Sequence, residues 1–365
     1  MQVNKIKLIN YRNYNQIEIQ LGPKVNIFLG NNAQGKTNLL EAIYLAALTR
    51  SFRGTKDKDL IYAGRQAAYV GVDFETEDSG YQTVEFKLSK ETTKRCKING
   101  LEAGKSSEAI GLLNVVIFSP EDLKMIKEGP GERRRFLDAE ISQIRPVYRR
   151  DLVEYTKLLK NRNIYLKAIR YQGSDMKFLD VLDEQLAEKG AAIIKNRILF
   201  IEDISKISYE IHKRISGEME HLSLKYQSTL SLTENIEADF LEKLKANRVE
   251  DLSRLTTSVG PHRDDLEIYI NDMDSKVYAS QGQQRSAALS IKLAEVELIK
   301  KYRGEYPVVL LDDVMSELDE ERRRLLITTF KDIQTIITTT DDVALMAHDN
   351  IQKQLFFIES GNIKE

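Results

Sequence analysis

Residues Gly30-Asn31-Asn32-Ala33-Gln34-Gly35-Lys36-Thr37 follow the spacing G-x4-G-K-[ST]. The flanks make this octapeptide more than a glycine turn. Val25-Asn26-Ile27-Phe28-Leu29 reads as a short apolar strand running into Gly30. From Lys36 to about Leu48, apolar residues recur at Leu39, Leu40, Ile43 and Ala47, which is helical spacing. A strand, a glycine turn and a helix start aim successive backbone N–H groups and the positive helix end at one point, where a phosphate fits. The eight residues Gly30 to Thr37 are therefore expected to bind ATP. Lys36 reaches the β- and γ-phosphates in such a loop, and the Thr37 hydroxyl ligates Mg2+. This one feature commits the chain to an α/β core.

A phosphate loop needs a carboxylate at the end of a neighbouring strand, and Pro307-Val308-Val309-Leu310-Leu311-Asp312-Asp313 supplies one. Four consecutive apolar residues predict a strand buried on both faces, with the acids emerging at its C-terminal end, where α/β sites lie. Asp312 is expected to hold magnesium and Asp313 to polarise the attacking water, with Asp313 and Lys36 as the catalytic residues. An aspartate base is one methylene shorter than glutamate, and a reach completed only on dimerisation predicts slow turnover.

The first third reads mostly as strand. Ile17, Ile19 and Leu21 alternate with polar residues, Tyr69–Glu75 pairs with Val84–Leu88, and Asn99-Gly100 makes a hairpin. From Lys124 to Thr257 long, charged, helix-forming stretches dominate, with Pro146 a kink or boundary and only Leu222–Leu230 strand-like. Leu266, Ile268 and Ile270 then alternate, Gln283–Lys301 is helical, and Thr335–Thr338 and Leu355–Ile358 are strands. The expected fold is an ABC-type α/β head with a parallel core sheet and an antiparallel layer. It is assembled from residues 1–123 and 258–365, with a mostly helical lobe, 124–257, inserted.

Composition narrows the surroundings. Hydrophobic residues are 42% and charged residues 30% of 365, an ordinary globular balance. No apolar run approaches the roughly 20 residues that span a bilayer. One cysteine, Cys96, and four histidines without ligand spacing argue for the cytoplasm and against zinc.

Ala279-Ser280-Gln281-Gly282-Gln283-Gln284-Arg285-Ser286 opens the helix before the aspartate strand, and Ser280 is a good N-cap. Phosphate loop, long insert, this motif and paired acids, in that order, resemble the ABC-type ATPases of the SMC-like group, and within it the bacterial recombination mediators. Ser280, Gly282 and Gln283 match the Leu-Ser-Gly-Gly-Gln signature, while Ala279 and Gln281 depart from it. The likeness extends to Asn10-Tyr11-Arg12-Asn13-Tyr14, to Phe118-Ser119-Pro120-Glu121-Asp122-Leu123 and to Arg133-Arg134-Arg135-Phe136-Leu137-Asp138. Gly260-Pro261-His262-Arg263-Asp264-Asp265 and Asp312-Asp313-Val314-Met315-Ser316-Glu317-Leu318-Asp319 complete it.

The resemblance implies an ATP-dependent homodimer that sandwiches two ATP molecules. In it Ser280, Gln281, Gly282 and Gln283 of one subunit meet the γ-phosphate held by the other, and Ser316, Glu317, Leu318 and Asp319 couple the two sites. It implies a γ-phosphate sensor at Thr338 or Thr339, where related ATPases carry histidine. It also implies weak DNA-dependent ATP hydrolysis, recombinase loading at gapped or junction DNA, and the partners RecO and RecR. Arg12, Asn13 and Tyr14 are expected beside the adenine, or as a plain strand–turn.

Between Lys124 and Tyr171 thirteen Lys/Arg face six Asp/Glu, on a chain whose net charge is −2. Arg133, Arg134, Arg149, Arg150, Lys157 and Lys160 are the candidate contacts to double-stranded DNA, with Arg135 and Arg162 nearby. A basic helix face favours phosphate backbone over base edges. The alternative function is the ATPase subunit of a membrane transporter, against which the 130-odd-residue basic insert counts.

Overall fold

Short apolar segments distant in sequence lie side by side in the core sheet of this computed structural model, which describes residues 1–173, 175–316, 318–340 and 352–364. Its strands are β3 (Val25–Leu29), β8 (Val115–Phe118), β12 (Val308–Asp312), β13 (Thr335–Thr339), β14 (Lys353–Glu359) and β15 (Asn362–Lys364). They run in the order β15-β14-β3-β13-β12-β8, parallel except for β15. Every residue of β12 and β13 is buried, as a doubly covered parallel sheet requires. Helix α1 (Lys36–Leu48) follows β3 and is buried on nearly all sides, so its apolar residues form no single stripe.

An antiparallel sheet completes this first unit. It is built from β1 (Gln2–Tyr11), β2 (Tyr14–Gln20), β4 (Ala67–Thr76), β5 (Gly80–Ser89), β6 (Arg95–Ile98) and β7 (Leu101–Glu102), in the order β2-β1-β4-β5-β6-β7. Ile6, Leu8 and Tyr11 of β1 bury one face, opposite Ile17 and Ile19 of β2. Helix α10 (Glu320–Thr329) is N-capped by Asp319, whose carboxylate accepts the Arg322 N–H at 2.9 Å.

The second unit begins with α2 (Lys124–Lys127), α3 (Pro130–Ile144), α4 (Pro146–Gln172) and α5 (Lys177–Ile215). Pro146 proves to be a boundary, sitting at the first position of α4, where its missing N–H costs nothing. Strand β9 (Leu222–Gln227), helices α6 (Ile236–Ala246) and α7 (Arg248–Arg254), strands β10 (Asp265–Ile270) and β11 (Met273–Asp274), and the short α8 (Ser275–Tyr278) follow. Helix α9 (Gln281–Arg303) then leads back to the first unit. Among the described residues no helix is long and apolar enough to cross a membrane.

Close packing divides the chain into Met1–Asp122 with Lys292–Glu365, and Leu123–Ile291. The first break falls within a residue of the expected 123/124 boundary. The second lies inside α9, so residues 258–291 fall in the second unit and not with the ATPase segment. The reason is pairing: β10 bonds to β9 from Asp265↔Gln227 to Ile270↔Leu222, making a three-stranded sheet with β11. The start of α9 is held there too, by Ser290 against the buried His212 at 3.0 Å.

Candidate functional site

In the first unit Gly30–Thr37 forms a phosphate loop between β3 and α1, and its carbonyls are held by side chains. Lys36 is 4% exposed, and its ammonium donates to the carbonyls of Gly30 at 2.7 Å and Asn31 at 3.0 Å. Tyr14 donates its hydroxyl to the Gly35 carbonyl at 3.0 Å, and Asn13 donates its amide to the Gln34 carbonyl at 2.8 Å. Peptide planes are rigid, with C=O and N–H on opposite sides, so a carbonyl held one way turns the following N–H the other way. The amides of Gly35 and Lys36 are each turned away from the side chain that holds the preceding carbonyl, at the helix N-terminus where an anion is received. Gly35 adopts φ +115°, which favours glycine.

Burial lowers the Lys36 pKa, opposed by the charges of Asp313 and Asp312. The register puts those acids beside the loop: Asp312 of β12 lies opposite Thr338 of β13, and Thr339 opposite Leu29 of β3. Asp312 is 7% exposed. Burial raises its pKa, while hydrogen bonds from Thr37 and Thr338 pull it down. The Thr338 hydroxyl donates to the Asp312 carboxylate at 2.9 Å and accepts the Asp313 N–H at 3.0 Å. Asp313 adopts φ +52°, a conformation that costs a non-glycine residue roughly 1–3 kcal/mol and concentrates at functional sites.

Thr338, a candidate γ-phosphate sensor, donates to Asp312 and so orients the paired acids. Asn13 and Tyr14, expected beside the adenine or as a plain strand–turn, lie against the loop backbone. Arg12 grips the buried Glu41 of α1 through two nitrogens at 2.7 and 2.6 Å. The sequence signal for Asn13 and Tyr14 was their place in a turn entering a strand, which gives no hint of hydrogen bonds to a loop about twenty residues on.

In the second unit Ser280, Gln281 and Gly282 are exposed at the start of α9. Ser280 and Gln283 cap one another: the Gln283 N–H donates to the Ser280 hydroxyl at 3.2 Å, and the Ser280 N–H to the Gln283 side chain at 2.8 Å. Gln283 also donates to Glu220 at 2.9 Å, and Glu220 meets the buried His212 at 3.1 Å. Of the segment expected to couple the two sites, Ser316 ends a short 3-10 turn, Leu318 is buried and Asp319 caps α10. Glu317 lies outside the described residues.

The candidate DNA contacts separate by environment. Arg133 is buried and forks onto Asp265 through two bonds of 2.7 Å, and Arg134 donates to the Asp264 carbonyl at 2.8 Å. Arg135 pairs with Glu132, and Arg149 is half-buried. Arg162 is fully buried, bonded to Asp183 and Asp251 at 2.6 Å each. Arg133 and Arg162 thus hold the second unit together, and we exclude them from any DNA surface. Arg150, Lys157 and Lys160 are exposed on α4 and have no carboxylate partner among the described residues. The acids of the same stretch, Asp151 and Glu154, pair instead with Lys189 of α5.

The family model described as the RecF/RecN/SMC N terminal domain matches residues 2–363. The chain is 44% identical over 364 residues to the DNA replication and repair protein RecF of Clostridium perfringens, and 43% over 365 residues to that of Clostridium botulinum, covering all of each. A solved structure of the recombination mediator protein RecF with ATP, in the RecFOR pathway, superposes with a TM-score of 0.93 at 38% identity, covering 100% of this chain and 97% of that one. The Smc head domain of Pyrococcus furiosus, at 20% identity and TM-score 0.57 over 100% and 96% of the two chains, shares the fold. The motif order, the α/β head and the full-length likeness agree: the chain belongs to the RecF family of DNA replication and repair proteins, within the RecF/RecN/SMC group.

Proposed function

We propose that this chain is an ATP-operated DNA clamp of recombinational repair. ATP binds at Gly30–Thr37. Two copies then close so that Ser280, Gln281, Gly282 and Gln283 of one cover the γ-phosphate on the other, and the dimer grips double-stranded DNA. Slow hydrolysis to ADP and phosphate releases it. The observation that carries this reading is the meeting of Thr37, Asp312 and Thr338 beside a loop whose carbonyls are tied back.

A hydroxyl and a buried carboxylate next to a phosphate loop fit magnesium, which takes one or two protein oxygens together with phosphate oxygens. Thr37 and Asp312 would hold it, and when bound it neutralises phosphate charge. Asp313, fixed by Thr338 through its backbone N–H, polarises the water that attacks the γ-phosphorus as the bond to ADP breaks. Lys36 stays with the β- and γ-phosphates. Ser280, capped through its acceptor side, keeps its hydroxyl proton for a phosphate oxygen. Glu317 and its neighbours Ser316, Leu318 and Asp319 couple the two sites.

Double-stranded DNA lies on Arg150, Lys157 and Lys160, with Arg134 and Arg149 at the margin. Likeness to a RecF described with ATP and the RecFOR pathway supports the wider role: work at gapped or junction DNA, recombinase loading, the partners RecO and RecR, and a place in the cytoplasm. Light scattering with and without ATP tests the core of this. The parental chain doubles in mass with ATP and gains duplex affinity by anisotropy, whereas Lys36→Arg does neither. A monomer under every nucleotide condition overturns the clamp.

A further inference from the structure

The phosphate loop leans on a part of the chain more than 300 residues away. Strands β14 and β15 join through Ser360-Gly361, two residues with φ +50° and +75°, the form that suits the twist of a two-residue hairpin. That turn lies on the loop. The Gly361 N–H donates to the Gln34 carbonyl at 3.1 Å, and the Ser360 N–H donates to the Gln34 side-chain oxygen at 2.5 Å. Asn13 donates to the same Gln34 carbonyl from the turn between β1 and β2, and is itself held by Asn38 of α1 at 2.8 Å.

Close approach accompanies the hydrogen bonds. A β-carbon on Gly361 would stand 2.6 Å from the Asn13 carbonyl oxygen, and one on Gly35 would stand 2.5 Å from the Asn13 amide. A β-carbon on Gly30 would stand 2.3 Å from the Ile358 carbonyl oxygen of β14. Both ends of the loop therefore rest against the last hairpin, and Asn13 sits between Gly35 and Gly361 with no room to spare.

We infer that Asn13 and the Ser360-Gly361 turn are positioning residues of the nucleotide site. They fix the Gln34 carbonyl, so the Gly35 N–H faces the phosphate before any nucleotide arrives. This deepens the reading that the loop binds ATP and rests on it. A loop free to rotate this peptide would have to order it on binding, at a cost in affinity. These residues act on the loop that holds the nucleotide. Their effect reaches it only through the Gln34–Gly35 peptide plane.

The test measures Kd for ATP and for ADP on the full chain, with the melting temperature of nucleotide-free protein beside it. Asn13→Ala is expected to weaken both nucleotides by a similar factor, about five- to tenfold for the removal of one hydrogen bond to the loop. Its nucleotide-free melting temperature stays close to parental. Gly361→Ala weakens binding at least as much, because the strained φ and the approach to Asn13 both push the turn off the loop. If Gly361→Ala fails to fold, Asn13→Ala alone decides. Parental Kd in Asn13→Ala, or a loss confined to melting temperature, overturns the inference. A parental chain that binds no ATP overturns the underlying reading instead, and Lys36→Ala run in parallel tells the two apart.

Discussion

The phosphate loop and helix α4 both present positive charge, by different means. At the loop the positive potential comes largely from backbone amides, each aimed because a side chain holds the preceding carbonyl, as Tyr14 and Asn13 do for Gly35 and Gln34. On α4 it comes from side chains, and their environments diverge within two turns: Lys157 and Lys160 are exposed while Arg162 is fully buried between Asp183 and Asp251. Backbone chemistry fixes a pattern of residue types, because only glycine gives the turn and only a lysine reaches back. Side-chain charge fixes no such pattern, since the same arginine serves as a core pin or as a surface contact.

The largest test of that contrast is Arg162→Ala. Removing it leaves Asp251 buried without its cation and Asp183 with Arg248 alone, and breaking a buried pair in this way costs about 3–5 kcal/mol. Denaturant unfolding should show a lower midpoint, while ATP affinity of the folded protein is retained. A change within about 0.5 kcal/mol, the usual range for a surface residue, would place Arg162 with the solvated lysines after all.

Acid response separates the two regions next. His262 of the second unit bonds Tyr155 at 2.7 Å, and burial lowers its pKa to about 4. Between pH 6.5 and 4 the unfolded chain takes up a proton there that the folded chain refuses, so stability falls on acidification by up to about 3 kcal/mol. Asp122, which ends the first segment of the first unit, is pushed up to about 6, chiefly by burial. The folded chain holds that proton more tightly than the unfolded one between pH 6 and 4, so this carboxyl adds stability over the same window. Melting temperatures from pH 7 to 4.5 for the parent, His262→Gln and Asp122→Asn should diverge accordingly. His262→Gln flattens the acid loss and Asp122→Asn steepens it. Parallel curves would mean that neither group titrates as its burial requires.

At the loop itself, Lys36→Ala removes a charged donor to two carbonyls and to the phosphates. Hydrogen bonds to charged groups support a loss of roughly 100-fold in ATP affinity, read as Kd. That is smaller than the Arg162 effect in free energy, yet it falls wholly on binding. A variant that binds ATP within a few-fold of the parent would remove Lys36 from its role.

How far each region was legible follows from the same contrast. Val25–Leu29, the loop and the helix from Lys36 to Leu48 stand in the structure with the bounds that periodicity gave them. Val308–Asp312 is buried throughout, as its unbroken apolar run required. The 258–291 segment was not legible: Leu266, Ile268 and Ile270 announce a strand, but nothing in the alternation says that its partner is Leu222–Gln227. The contact of the Ser360-Gly361 turn with Gln34 was hidden for a similar reason, since no pattern links residues more than 300 apart. Arg133 and Arg162 were indistinguishable from Lys157 by charge, because helical spacing alone does not reveal which cations meet Asp265, Asp183 or Asp251.

The smallest effect is expected at the exposed lysines, and it discriminates best. Lys157→Ala with Lys160→Ala should leave unfolding within about 0.5 kcal/mol of the parent, since neither has a carboxylate partner among the described residues. Duplex affinity should fall several-fold at low salt. More specifically, the slope of log K against log salt should flatten by about 0.9 for each phosphate left without its lysine, so by nearly two if both side chains touch the backbone. Sequence preference should not change, because phosphate contacts carry none. A drop in affinity with an unchanged slope would mean that the lysines act through the shape of the lobe, and the distinction between buried pins and surface contacts on α4 would then need redrawing.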